Sequence, residues 1–359
     1  MKRIKLAVIF GGASSEYEIS LLSVTSVLEA IDTQIYEVIT IGITRQGEWY
    51  LYNGDIERIA QDTWSHQSRY LRKAFISPNP ATKGIVVLEP DFTYGLIEID
   101  VVLPVLHGQN GEDGTIQGLL EISGLPYVGC NTLSSAICMD KSVAHCVLEN
   151  AGIRTADWVT LHQGESGDFY KAEKLVEEKL SYPVFVKPAN TGSSVGVSKA
   201  KNRHELKAAI EKARQYDRKV VVERCIEGTE LECAVLGNQV PVISGVGEIC
   251  PTAEFYDYDA KYNDESTELF VTARISEKDR EAIRATAAKA YRVMGCSGLA
   301  RIDFFLEKDG SIILNELNTM PGFTSISMYA KLFEAQGVPY SDLLDKLIGF
   351  AIERKVYNG

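Results

Sequence analysis

Apolar residues along the chain fall into short unbroken runs, separated by stretches in which they recur every three or four positions. Residues 4–10 form the first run, ended by Gly11-Gly12, and Leu21, Val24, Leu28 and Ile31 follow at helical spacing. This predicts strand, glycine turn and helix. A second run, residues 36–44, precedes a Gln46-Gly47 turn, and a third, residues 99–106, ends in a glycine-rich loop. Strands alternating with helices predict a parallel sheet, so residues 1–130 read as an open α/β domain with its ligand crevice beyond the carboxyl ends of the strands. Gly11-Gly12 and His107-Gly108 both fall there.

Further along, a helix opens after Met139-Asp140-Lys141, residues 182–188 form a strand that Pro188 terminates, and residues 219–224 form another. Strands over 231–236 and 240–249, a polar aromatic stretch over 251–268, a helix over 279–294, a hairpin and a last helix over 340–353 follow. No repeat, low-complexity tract or long linker interrupts them. The expected segments are 1–130, 131–227 and 228–359.

Length and charge narrow the partners. Single cores stop growing near ~250–300 residues, so a chain of 359 residues that is 45% hydrophobic has room for two or three lobes. A formal charge of −12 disfavours nucleic acid and anionic membrane, because either would repel most of the surface. No signal-peptide pattern and no spanning apolar run is visible, which makes the cytoplasm the expected location. The seven cysteines are scattered without a CxxC pair, and Cys130, Cys138 and Cys146 read as packing residues.

The clearest chemistry lies in residues 299–318, where two alternating runs flank a Lys308-Asp309-Gly310 turn. With Glu307 facing Ile312, Asp303 faces Glu316 and Arg301 faces Asn318. The period of two then puts Glu316 and Asn318 on one face. Two carboxylates and an amide oxygen converging in this way need a hard cation such as Mg2+, or else a salt-bridged sheet face.

A glycine-rich loop, residues 190–197 (NTGSSVGV), follows the strand ending near Lys187, and its N–H groups and hydroxyls can surround phosphate oxygens. No GxxxxGK[ST] or GxGxxG motif occurs, which argues against a P-loop NTPase and a dinucleotide oxidoreductase. Lys187 inside an apolar strand and Lys141 at a helix start each require an anion or a structural salt bridge. Glu223 and Glu230, at neighbouring strand ends, are candidates for a ribose diol, with main chain nearby to read a base.

These residues coincide with a known family. FGGASSEYEIS (10–20), LHGQNGEDGTIQG (106–118), residues 139–141, 186–196 and 223–230, FYDYDAKY (255–262) and LNELNTMPGFTSISMY (314–329) resemble D-alanine:D-alanine ligases along nearly the whole chain. The resemblance implies an α/β chain with an N-terminal Rossmann-like (pre-ATP-grasp) domain followed by a two-lobed ATP-grasp fold. It also implies ATP and Mg2+ (or Mn2+), two ions, as cofactors, D-alanine as substrate, a homodimer, and a role in peptidoglycan precursor synthesis.

The same resemblance assigns Lys141, Lys187, Ser194 and Lys261 to the nucleotide, Glu223 and Glu230 to adenine and ribose, and Asp303, Glu316 and Asn318 to the metal. Glu16 is implied to orient the first D-alanine by its ammonium group, in a triad with Ser193 and Tyr262. His107 is implied beside that substrate's carboxylate, and Arg301 with the Gly322 main chain at an oxyanion. Ser327 and Met328 are implied as the wall and carboxylate contact for the second D-alanine. Related ligases that couple D-serine carry Phe where Tyr256 stands and Arg where Met328 stands, so D-alanine is expected. D-serine, and a catalytically silent nucleotide-binding protein, stay open as alternatives. Ala330 departs from the family's usual Pro at that position.

Overall fold

The computed structural model describes residues 2–91, 93–164, 168–250 and 268–358. The first sheet has seven strands, β1 (Ile4–Gly11), β2 (Tyr36–Ile43), β3 (Trp49–Tyr52), β4 (Leu71–Ile76), β5 (Gly84–Leu88), β6 (Tyr94–Glu98) and β7 (Val101–Val105), in the order β6-β5-β4-β3-β2-β1-β7. Leu6 through Phe10 are wholly inaccessible, as the unbroken apolar run of a strand covered on both faces requires.

Only β1, β2 and β7 run parallel; β3 to β6 form an antiparallel meander, which corrects the expectation of a parallel sheet. The Gln46-Gly47 turn explains the difference. A parallel neighbour needs a crossover of a dozen or more residues, whereas Ile43 already pairs with Trp49, with Gly47 at φ 83 closing the turn.

The second sheet contains β8 (Trp158–His162), β9 (Val184–Pro188), β10 (Ser198–Ala200) and β11 (Lys219–Arg224), all antiparallel, in the order β10-β9-β11-β8. The third contains β12 (Gly228–Gly237), β13 (Val242–Cys250), β14 (Glu268–Phe270), β15 (Gly298–Glu307) and β16 (Ile312–Asn318), also antiparallel, in the order β14-β13-β12-β15-β16. These sheets are the two lobes expected of the second half of the chain. The helix Tyr340–Asn358 joins the first sheet to the third: Leu343, Leu344, Leu347 and Ile348 share one core with Leu6, Val8 and Phe10 on one side and Leu299 and Met320 on the other.

The β15–β16 hairpin keeps the expected register at its chemical end, with Arg301 opposite Asn318 and Asp303 opposite Glu316. Towards the turn the register shifts by one, so Leu306, not Glu307, faces Ile312. A bulge between Asp303 and Phe304 causes the shift. Strict alternation would turn Leu314 and Glu316 to the same face. The extra residue at the bulge instead lets Leu314 and Leu317 join one apolar core while Asn315 and Glu316 both line a cleft.

Candidate active site

Between the second and third sheets lies a cleft of about 630 Å3. Lys141, Lys187, the 191–194 loop, strand ends 223–230, Glu248 and Glu316 line it. The lysines, glycine loop and hairpin carboxylate singled out from sequence thus meet in one cavity.

Asp140 caps the helix Lys141–Asn150 by accepting from the N–H groups of Ser142 and Val143, and it is itself paired with Lys219. That cap aims Lys141 at the glycine loop, where its Nζ donates to the Thr191 carbonyl at 2.6 Å. Lys187 Nζ donates to Glu223 Oε2 at 2.6 Å, and Glu223 Oε1 lies 3.0 Å from His145 Nε2. Burial opposes charge on Glu223, yet Lys187 and His145 hold its carboxyl far below the usual carboxylate range. Both Glu223 oxygens are therefore occupied by protein donors. Glu230, also on the cleft wall, is the second carboxylate at that end. Ser193 and Ser194 stand at φ 48 and 58, consecutive left-handed positions that cost ~1–2 kcal/mol each for residues with a Cβ. The N–H groups of a loop in this conformation can gather around an anion.

Glu16 precedes the helix Tyr17–Ala30 and is 5% exposed. Its carboxylate sits between two glycines: a Cβ on Gly108 would come within 2.7 Å of Oε1, and one on Gly192 within 2.4 Å. Oε2 accepts from Ser193 Oγ at 2.7 Å, while Oε1 is buried without a hydrogen-bond partner among the described residues. Glycine at those two positions lets loops from the first and second sheets close on one acid. Tyr262, the expected third member of this triad, and Tyr256 and Lys261 lie outside the described residues.

His107 is buried, and its Nδ1 lies 3.0 Å from the Met320 carbonyl, an acceptor, so Nδ1 carries the proton. Nε2 lies 3.1 Å from Ser23 Oγ, which in turn accepts from Phe323 N–H at 3.4 Å. His107 and Ser23 thereby fasten the 320–323 loop, and Gly322 with it, from both ends. Glu112, which sequence reasoning passed over, lies 3.4 Å from the same ring. Burial and the nearby Glu16 push Glu112 up to about 7 despite the pull of His107.

A carboxyl raised in this way favours the folded state below its ordinary pKa of 4.5, and the contribution is lost as pH rises through about 7. Stability is therefore expected to fall across that interval, and Glu112→Gln to flatten the fall. Urea denaturation at about pH 5 and about pH 8 measures both slopes; an unchanged slope in the variant would discard the assignment.

At the hairpin, Arg301 Nε and Nη2 bind both oxygens of Asp303 at 2.8 and 2.7 Å, and Glu232 lies 3.2 Å from Nε. Asn318 Nδ2 donates to Asp303 Oδ2 at 3.0 Å. Burial opposes the charge on Arg301, yet Asp303, Glu232 and Glu316 outweigh it and keep the guanidinium ionised. Three carboxylates thus share one guanidinium. Among the described residues no group of three or more His, Cys, Asp and Glu side chains is arranged to hold a metal ion, but the carboxylate and amide oxygens gathered here are the hard donors a divalent cation takes. Glu232 was not anticipated: it pairs with Asp303 across β12–β15, a contact between strands 71 residues apart in sequence.

Ser327 lies at the start of the helix Met328–Glu334, with its Oγ 2.8 Å from Thr324 Oγ1. Met328 is 5% exposed and packs on Gly247, where a Cβ would meet its Sδ at 2.7 Å. It can face a substrate only as a buried wall. Ala330 falls in the first turn, whose N–H groups have no intrahelical acceptor, so the Pro usual there would cost no hydrogen bond.

Two family models, described as the N-terminus and the C-terminus of D-ala D-ala ligase, match residues 5–130 and 147–349. The chain belongs to the D-alanine–D-alanine ligase family. It is 50% identical to a D-alanine–D-alanine ligase of Caldicellulosiruptor bescii over 99% of this chain and 96% of that one. Among solved structures it is similar to the VanG D-Ala:D-Ser ligase of Enterococcus faecalis, with 44% identity, TM-score 0.89 and coverage of 98% of this chain and 100% of that one. It is also similar to the D-alanine–D-alanine ligase of Coxiella burnetii, with 35% identity, TM-score 0.87 and coverage of 100% and 96%. The expected enzyme class and the sheet architecture of an ATP-grasp ligase are both borne out. Among the described residues no helix is long and apolar enough to cross a membrane.

Proposed function

We propose that this chain joins two D-alanines into D-alanyl-D-alanine for peptidoglycan precursors, converting ATP to ADP and phosphate by way of D-alanyl phosphate. The observation that carries the reading is one cleft with lysines and a strained glycine loop at one wall and Glu316, from the hairpin that carries Arg301 and Asp303, at the other, with the buried Glu16 carboxylate lying against its loop. Lys141, Lys187 and the 192–194 backbone hold the phosphates, and Glu230 takes the ribose. Lys261 is proposed for the nucleotide and Tyr262 for the Glu16–Ser193 triad on the family resemblance.

Glu16 Oε1 receives the ammonium of the first D-alanine and thereby points that substrate's carboxylate along the glycine loop toward the γ-phosphoryl group. A carboxylate oxygen bonds to the γ-phosphorus as its bond to the ADP oxygen breaks. Bound as a free amine, the second D-alanine attacks the activated carbonyl and phosphate departs. Arg301, whose Nη1 is not used by Asp303, and the Gly322 N–H supply donors for the oxyanion. Asp303, Glu316 and Asn318 would hold Mg2+ (or Mn2+), two ions in this reading, which would supply neutralisation of the phosphate charge. His107 holds the Gly322 loop beside the first substrate. A homodimer is proposed on the resemblance alone, and boundaries near residues 130 and 227 on the pattern of elements along the sequence.

At the second subsite, Ser327 and the buried wall at Met328 suit a methyl side chain. Similarity to the VanG enzyme favours D-serine as a second reading. Incubation of the protein with ATP, Mg2+ and a panel of D-amino acids, with products identified by mass, separates the two. D-alanyl-D-alanine as main product with stoichiometric ADP is expected; D-alanyl-D-serine in excess would replace the substrate assignment, and no dipeptide would overturn the function.

A further inference from the structure

We propose that His145 is a positioning residue for the nucleotide: by donating Nε2–H to Glu223 it fixes the carboxylate that holds Lys187 at the cleft. This rests on reading the cleft as the ATP site.

His145 follows Lys141 by one helical turn, so both side chains leave the helix Lys141–Asn150 on its cleft face. Its ring stacks on Trp158 at 5.3 Å between centroids and 21° between planes. The stack fixes the ring plane, but a phenyl group would serve that purpose equally. What requires an imidazole is the contact at 3.0 Å from Nε2 to Glu223 Oε1, made with both side chains at least nine-tenths buried.

The tautomer follows from the acceptors present. Glu223 is ionised and can only accept, so Nε2 bears the hydrogen. Nδ1 is buried without a hydrogen-bond partner among the described residues. A ring placed for hydrogen bonding at Nδ1 would not leave that atom alone; the site is built around Nε2.

The consequence reaches the cleft through Lys187, whose side chain is 16% exposed and whose Nζ is held 2.6 Å from Glu223 Oε2. With Oε1 anchored by His145, the carboxylate cannot swing about its other oxygen, and the ammonium keeps one place for a phosphate to find. Without that anchor a buried acceptor is left unpaired, and the carboxylate turns to recover a donor, taking Lys187 with it.

Glutamine and asparagine substitutions separate this from a packing role. Gln carries its N–H near the position of Nε2, whereas Asn reaches only as far as Nδ1. In the full-length protein, His145→Asn is expected to weaken ATP binding by calorimetry, and to raise KM for ATP, by about tenfold, the scale of losing one hydrogen bond to a charged group. The rate at saturating ATP and the KM for D-alanine should stay near wild type, and His145→Gln should restore ATP affinity to within about twofold. Wild-type ATP affinity in His145→Asn, or equal loss in both variants, would overturn the proposal, the second result assigning the effect to the lost stack. If His145→Asn does not fold, His145→Phe takes its place, since it keeps the stack on Trp158; undiminished ATP affinity there has the same force. Failure of the wild-type protein to bind ATP would instead remove the nucleotide reading, a result visible before any variant is compared.

Discussion

Arg301→Met is expected to abolish measurable dipeptide formation and to lower folding stability at the same time. The guanidinium is the shared counter-charge for Asp303 and Glu232, and Glu316 also acts to keep it ionised. Removing it takes the guanidinium away from Asp303 and Glu232, both under a tenth exposed. Breaking a buried ionic cluster at one partner costs about 3–5 kcal/mol. The loss of one oxyanion donor costs a further ~10²–10³ in rate. Arg301→Lys keeps the charge but not the two-pronged contact to Asp303, so it should recover stability more fully than turnover. Denaturant titration and single-turnover dipeptide formation test the two effects separately. If Arg301→Met is as stable as wild type, the charge balance described for the hairpin is wrong; if it still ligates, so is the oxyanion role.

The second large effect is expected at the two facing carboxylates, and here the structure divides residues that sequence reasoning treats alike. Glu316→Ala should reduce ADP formation by about 100-fold or more at ordinary Mg2+, with little loss of stability, because Glu316 is half-buried at the cleft wall. Asp303→Ala should lose activity to the same degree and also destabilise the fold, because Asp303 is 4% exposed and accepts both guanidinium bonds and the Asn318 amide. A titration of activity against Mg2+ and Mn2+ is the deciding measurement. Partial recovery of the Glu316 variant at high metal is expected, whereas unchanged turnover in either variant would withdraw the metal assignment.

Much of this site was legible in the residue order because its parts are local. A glycine loop follows a strand that carries Lys187, and a hairpin turn of three residues sets β15 against β16, although the Leu306–Ile312 register at the turn would by itself put Asp303 opposite Asn315 and the bulge is what brings Glu316 there. The one-residue shift toward that turn was not legible. Its cause is a competition for burial between Leu314 and Leu317, visible only once their shared core exists. His107 offers a second contrast. Its place after a strand put it at the expected crevice and only the family resemblance gave it a role, while its contacts to Ser23 and the Met320 carbonyl join positions 84 and 213 residues away.

The sequence by itself determined many of the secondary elements, the glycine loop, the hairpin over 299–318 and, through motifs spread over nearly its whole length, the family. Only the tertiary structure decided that β3 to β6 return antiparallel, that Glu232 joins the Arg301 cluster, that His145 and Glu223 hold Lys187, and that Met328 is buried. The reason is physical. Periodicity and turn chemistry act between near neighbours and can be read in order, whereas the charge state of a carboxylate or the exposure of a side chain depends on which distant strands and helices exclude water around it.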